Sequence, residues 1–149
     1  MRLAHLVTLR VFSKEEDDDA QVRACFLSFF PFDLEKEKIP LNRTSAAGFE
    51  HKTIVIYETT ITKPRHCNQF LKALFARFSD EQKAIIKEKL DRRITDDLCL
   101  YFRFDKDRFL AENQLFFVDT GNCFHLKISL AAFPRTKDAA KKIVTKLIE

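Results

Sequence analysis

The sequence is poor in the residues that build several kinds of site. Among 149 residues there are two glycines, one methionine and no tryptophan. Gly48 and Gly121 cannot form a glycine-rich phosphate cradle, and neither G-x-x-x-x-G-K-[ST] nor G-x-G-x-x-G occurs. Cys25, Cys67, Cys99 and Cys123 are widely separated and include no C-x-x-C. Combined with the scattered His5, His51, His66 and His125, they do not supply the coherent spacing of a zinc site. No run approaches the roughly 18 apolar residues that a membrane helix needs. The N-terminus carries an alternating segment where a secretory leader would carry an apolar one. The thiols are expected to be free and packed, and the protein to be cytoplasmic, with no membrane association. No cofactor or metal is expected.

Nucleophilic catalysis needs a nucleophile, a base and a group that orients the base. His66 and Cys67 are neighbours on a predicted helix and point about 100° apart. Cys123 and His125 share a strand face, but packing and surface polarity account for them. Asp105 and Asp107 lie among Arg103, Lys106 and Arg108, so pairing with those cations explains them better than a metal does. The acidic run Glu15–Asp19 suits the positive end of a helix. No catalytic residues are assigned, and an enzyme is not expected.

What the chain does have is alternation. In residues 98–105, Leu98, Leu100, Phe102 and Phe104 fall on one side of an extended chain, and Cys99, Tyr101, Arg103 and Asp105 on the other. That is the period of a half-buried strand. Residues 3–12 also alternate, with apolar residues on both faces, which suits a central strand. The stripe Val22, Cys25, Phe26, Phe29 predicts a helix ending before Pro31. A possible strand in 37–44, a turn at Ser45–Gly48 and a β-branched strand over 53–61 predict a hairpin. Pro64 opens a helix buried through Cys67, Leu71, Leu74, Phe75 and Phe78. Ser79-Asp80-Glu81-Gln82 is a capping box that starts the next helix. Strands over 115–119 and 124–132 complete a predicted meander, and a helix over 136–148 closes the chain. These elements predict one α+β domain over residues 1–149, a mostly antiparallel sheet with helices packed on one side.

Net charge is +4, and its distribution is uneven. Residues 1–40 hold six basic and eight acidic side chains, residues 41–97 hold eleven and eight, and residues 98–149 hold nine and six. Arg10, Arg103 and Lys127 each sit on a predicted strand, opposite its more apolar face. If those faces coincide, three cations line one surface with Tyr101 and His125 between them. Cations hold phosphates and an aromatic stacks a base, as on sheets that bind single-stranded RNA.

The segment Leu100-Tyr101-Phe102-Arg103-Phe104-Asp105-Lys106 resembles an archaeal family described as RNA-binding or predicted exosome-subunit proteins, the DUF54 group. Ala4-His5, Arg10-Val11-Phe12, Pro31-Phe32-Asp33 and residues 128–134 match in the same order, so the resemblance spans essentially the whole chain. It implies a fold like that of ribosomal protein L5 and an RNA-related role in an archaeal cytoplasm. The chain departs from the pattern at Asp107-Arg108 and at Ser45–Glu50, which bears on loop contacts.

These readings together make RNA the expected partner and a non-catalytic RNA-binding protein, associated with RNA processing, the expected function. Arg10, Arg103, Lys106, Lys127, Arg135 and Lys137 would contact phosphate, and Tyr101 would stack. The alternative is a protein-interaction subunit of an RNA-processing or ribosome-related assembly, docking through exposed phenylalanines at residues 29–32.

Overall fold

The computed structural model describes the backbone of residues 1–149 and the side chains at every position but 49. Five strands form one sheet: β1 (Ala4–Ser13), β2 (Asn42–Ala47), β3 (Thr53–Ile61), β4 (Cys99–Asp105) and β5 (Cys123–Leu130). Their order is β2-β3-β1-β5-β4, which puts β1 in the middle as its two apolar faces predict. The sheet is antiparallel, and the architecture is the expected α+β. Six helices accompany it: α1 (Asp19–Leu27), α2 (Pro64–Ala76), α3 (Asp80–Glu88), α4 (Leu90–Arg93), α5 (Lys106–Glu112) and α6 (Lys137–Ile148). No helix among the described residues is long and apolar enough to cross a membrane. All four cysteines are free thiols.

The chain forms two compact units, and β1, β4 and β5 each contribute to both. The first comprises Met1–Val7, Ile61–Tyr101 and Lys127–Glu149. Here α2 buries Cys67, Phe70, Leu71, Leu74 and Phe75. Ser79 and Gln82 make the expected reciprocal cap of α3. Ile86, Leu90 and Ile94 form the narrow buried stripe, while Ile85 beside them is exposed. Thr136 accepts from the Ala139 amide to cap α6, whose Ala140, Ile143 and Val144 are buried.

The second unit comprises Thr8–Thr60 and Phe102–Leu126. Its core explains much of the phenylalanine excess. The Phe29 ring lies 5.9, 4.8 and 5.0 Å from those of Phe104, Phe109 and Phe124. Phe102 stacks on Phe117 at 5.6 Å. Phe29 and Phe30 are buried and Phe32 half-buried, so the segment expected to dock a partner is spent on this core. The acidic run is also consumed structurally. Asp18 caps α1, Asp19 accepts from the Tyr57 hydroxyl at 2.7 Å, and Asp17 holds Lys106.

Two local expectations need correction. Ser45, Ala46 and Ala47 are strand, pairing in register with Val55, Ile54 and Thr53, and the reversal comes later, at residues 48–52. A Cβ at Gly48 would lie 2.7 Å from the Ile54 side chain and 2.9 Å from the Lys52 carbonyl, so the close approach at that reversal needs a glycine. Residues 115–119 are not a full strand; they contribute one bridge, Phe117 against Phe104. The connection after β4 is a formed helix, α5, capped by the Asp105 carboxylate on the Arg108 amide and closed by Asn113 in the left-handed region.

Candidate nucleic-acid interface

Alternation along β1 buries Val7, Leu9 and Val11 and leaves Arg10 and Phe12 exposed. On β5 it buries Phe124 and Leu126 and leaves Cys123 and His125 half-open. On β4 it buries Phe102 and Phe104 and exposes Arg103. Within the second unit these open positions converge. Arg10, Val11, Phe12, Lys14, Arg103, Gly121, Asn122, Cys123 and His125 line a hollow of about 420 Å³. Gly121, at φ +97°, supplies the left-handed turn that brings the start of β5 to its rim.

The hollow is electropositive. Burial pushes the His125 imidazole below its ordinary pKa, and the Arg103 and Arg10 guanidiniums push it further the same way. Two arginines distant in sequence therefore act on one ring. Burial pushes the Cys123 thiol up; Arg103 opposes that and Asp105 adds to it. Neither arginine is fully committed to an acid. Arg10 approaches Glu58 at 3.9 Å in an exposed pair and lies 5.9 Å from the Phe12 ring centroid. Arg103 donates to the Asp119 carbonyl at 3.4 Å. Exposed pairs of this kind contribute at most about 1 kcal/mol, so a stronger anion displaces them readily.

Of the seven residues singled out from sequence, Arg10 and Arg103 meet here. Tyr101 and Lys127 belong to the first unit, where both are half-buried and Lys127 lies close enough to Asp97 to help hold its carboxyl low, after the Thr95 hydroxyl that it accepts from. Arg135 is exposed at the approach to α6. Lys137 is exposed and pairs with Asp96 at 3.5 Å.

Lys106 is a correction. Its side chain is fully buried, and its ammonium donates to the Asp17 carboxylate at 2.5 Å and the Phe12 carbonyl at 2.7 Å. It has no surface to offer a phosphate. The signal was in the sequence: Lys106 follows Phe104 by two residues, on the buried register. Phe12 and Lys14 were missed, although the same alternation puts Phe12 beside Arg10.

Among the described residues, no three His, Cys, Asp or Glu side chains are grouped to hold a metal ion. The hollow instead offers cations, an exposed aromatic and an amide.

The whole chain can be set beside known proteins. It is 24% identical over 147 residues to an RNA-binding protein of Pyrococcus abyssi, covering 98% of this chain and 94% of that one. Its fold matches the crystal structure of a DUF54 protein from Archaeoglobus fulgidus with a TM-score of 0.78 at 20% identity, over 97% of this chain and 99% of the other. A DUF54 protein from Methanothermobacter thermautotrophicus matches with a TM-score of 0.75 at 20% identity, over 99% of both chains. The family model described as RNA binding matches residues 6–130, which take in every residue lining the hollow, and the chain belongs to that RNA-binding family.

Proposed function

We propose that this protein binds RNA without catalysing a reaction on it, and that the hollow bounded by Arg10, Lys14 and Arg103 is where the RNA backbone is held. The observation that carries this reading is the convergence of Arg10 and Arg103 on His125. Like charges gathered around a partly desolvated imidazole cost stability, and an anion in the hollow recovers it. Phosphate contacts of this kind make affinity fall with salt. Tyr101, Lys127 and Arg135 are proposed as further contacts. The biological setting we propose is RNA processing, in keeping with the resemblance to predicted exosome subunits.

The test is RNA affinity across a salt series for the wild type and Arg10→Glu/Arg103→Glu. Both side chains are exposed, so the variant should keep its near-ultraviolet circular dichroism. Affinity should fall at least tenfold, and the logarithmic salt slope should shrink by about 1.4, roughly 0.7 for each lost contact on a single strand. Unchanged affinity in the folded variant rejects this surface.

One observation favours docking of a protein in addition. In the first unit, Phe133 is 95% exposed beside a groove lined by Met1, Ala131, Pro134, Ala139 and Ile143, with Lys142, Lys146 and the single acid Asp138 also on its wall. Its apolar wall and two lysines suit an acidic partner segment with apolar anchors. A Phe133→Ser variant that keeps RNA affinity but no longer binds such a peptide separates the two surfaces.

A further inference from the structure

We infer that the hollow receives one unpaired nucleotide, so that RNA is bound as a single strand with a base turned into the protein. The inference rests on the RNA-binding reading of the same site and adds the form of the ligand. Here Arg10, Lys14 and Arg103 stand around a concavity of about 420 Å³, within the roughly 300–1,000 Å³ of small-molecule sites.

The walls suit a base better than a phosphate alone. Phe12 is 43% exposed, whereas Phe26, Phe29, Phe30, Phe102, Phe104, Phe109 and Phe124 of its unit are buried in the core. With the Arg10 guanidinium 5.9 Å from its centroid, it offers the two kinds of plane on which unstacked bases settle. The half-open Cys123 adds apolar surface, and the Asn122 amide and His125 ring supply hydrogen-bonding groups for a base edge. The rim is open at Gly121, where a Cβ would meet no heavy atom within 4 Å. A duplex keeps its bases paired inside and has a major groove too narrow for side chains to read, so it can touch this rim but cannot fill the hollow.

The experiment compares a short single-stranded RNA with the same strand annealed to its complement, at fixed salt, by fluorescence anisotropy. Wild type, Phe12→Ala and Arg10→Glu/Arg103→Glu are titrated, with uridine monophosphate and inorganic phosphate as competitors. The single strand should bind at least tenfold tighter than the duplex. Phe12→Ala should weaken single-strand binding by about five- to 150-fold, the worth of one stacked base, and leave the salt slope unchanged. The nucleotide should displace RNA at concentrations where phosphate does not. Equal affinity for duplex and single strand, or a silent Phe12→Ala, overturns the inference. If the charge-reversal variant still weakens both forms, the hollow remains an RNA site acting through phosphates alone. If charge reversal is silent too, the RNA reading of the hollow falls with it.

Discussion

Replacing Asp17 by alanine should destabilise this protein more than replacing Lys106 by methionine, although the two form one ion pair. The Lys106 side chain is 0% exposed and Asp17 is 19% exposed. Without Asp17, a buried ammonium keeps only the Phe12 carbonyl, a loss of about 3–5 kcal/mol for breaking a buried pair from one side. Without Lys106, the carboxylate still accepts from the Lys14 amide and reaches water, so the loss is about 1–3 kcal/mol. At roughly 2–4 °C per kcal/mol for a chain of this size, Asp17→Ala should melt roughly 6–20 °C lower. Because both substitutions remove the same contact, the double variant should cost less than the sum, by about 0.5–3 kcal/mol. Urea denaturation of the four proteins measures the two losses and their coupling, and thermal melts measure the temperature shift. Burial pushes the Asp17 carboxyl up, but the Lys106 ammonium and the Lys14 amide and charge pull it down further, and it ends below its ordinary value. Its contribution is therefore complete above the ordinary carboxyl range and is lost as pH falls through the lowered value. A Lys106→Met protein with wild-type stability but weakened RNA binding would refute the reasoning and return Lys106 to the surface.

His125 should titrate below its ordinary value of 6.5, and Arg103→Gln should move it upward; proton-detected titration of the imidazole reads both, and a wild-type value at or above 6.5 contradicts the electrostatics. The unfolded chain then takes up that proton first, so this residue lowers stability as pH falls from about 6.5 toward the folded value, and bound RNA should oppose the loss. Tyr57→Phe removes the hydroxyl that Asp19 accepts from at a fully buried ring and should cost about 1–2 kcal/mol by denaturant melting. Ser79→Ala removes half of the capping box on α3 and should cost about 1 kcal/mol in the same assay.

Alternation carried most of what could be read from the chain. It placed β1, β3, β4 and β5 within two residues of their ends, and it put Arg10 and Arg103 on open faces. It failed where an element depends on a distant partner. Ser45-Ala46-Ala47-Gly48 has the composition of a turn, yet β3 supplies a ladder that its first three residues complete. Residues 115–119 have strand composition but find only one bridge. Lys106 was misplaced because charge was weighed above register. The partner that makes its burial tolerable, Asp17, lies in an acidic run whose own pattern suggested only a helix terminus. Phe12 was legible and overlooked: an aromatic on the polar face of a strand is the kind of exception that marks a site.

The way the chain is shared between its two units limits how it can be taken apart. β1, β4 and β5 each give residues to both units, so each unit is assembled from segments that are not contiguous in sequence. No single cut separates one unit from the other. Recombination at the gene level faces the same barrier: neither unit can be exchanged as one contiguous cassette.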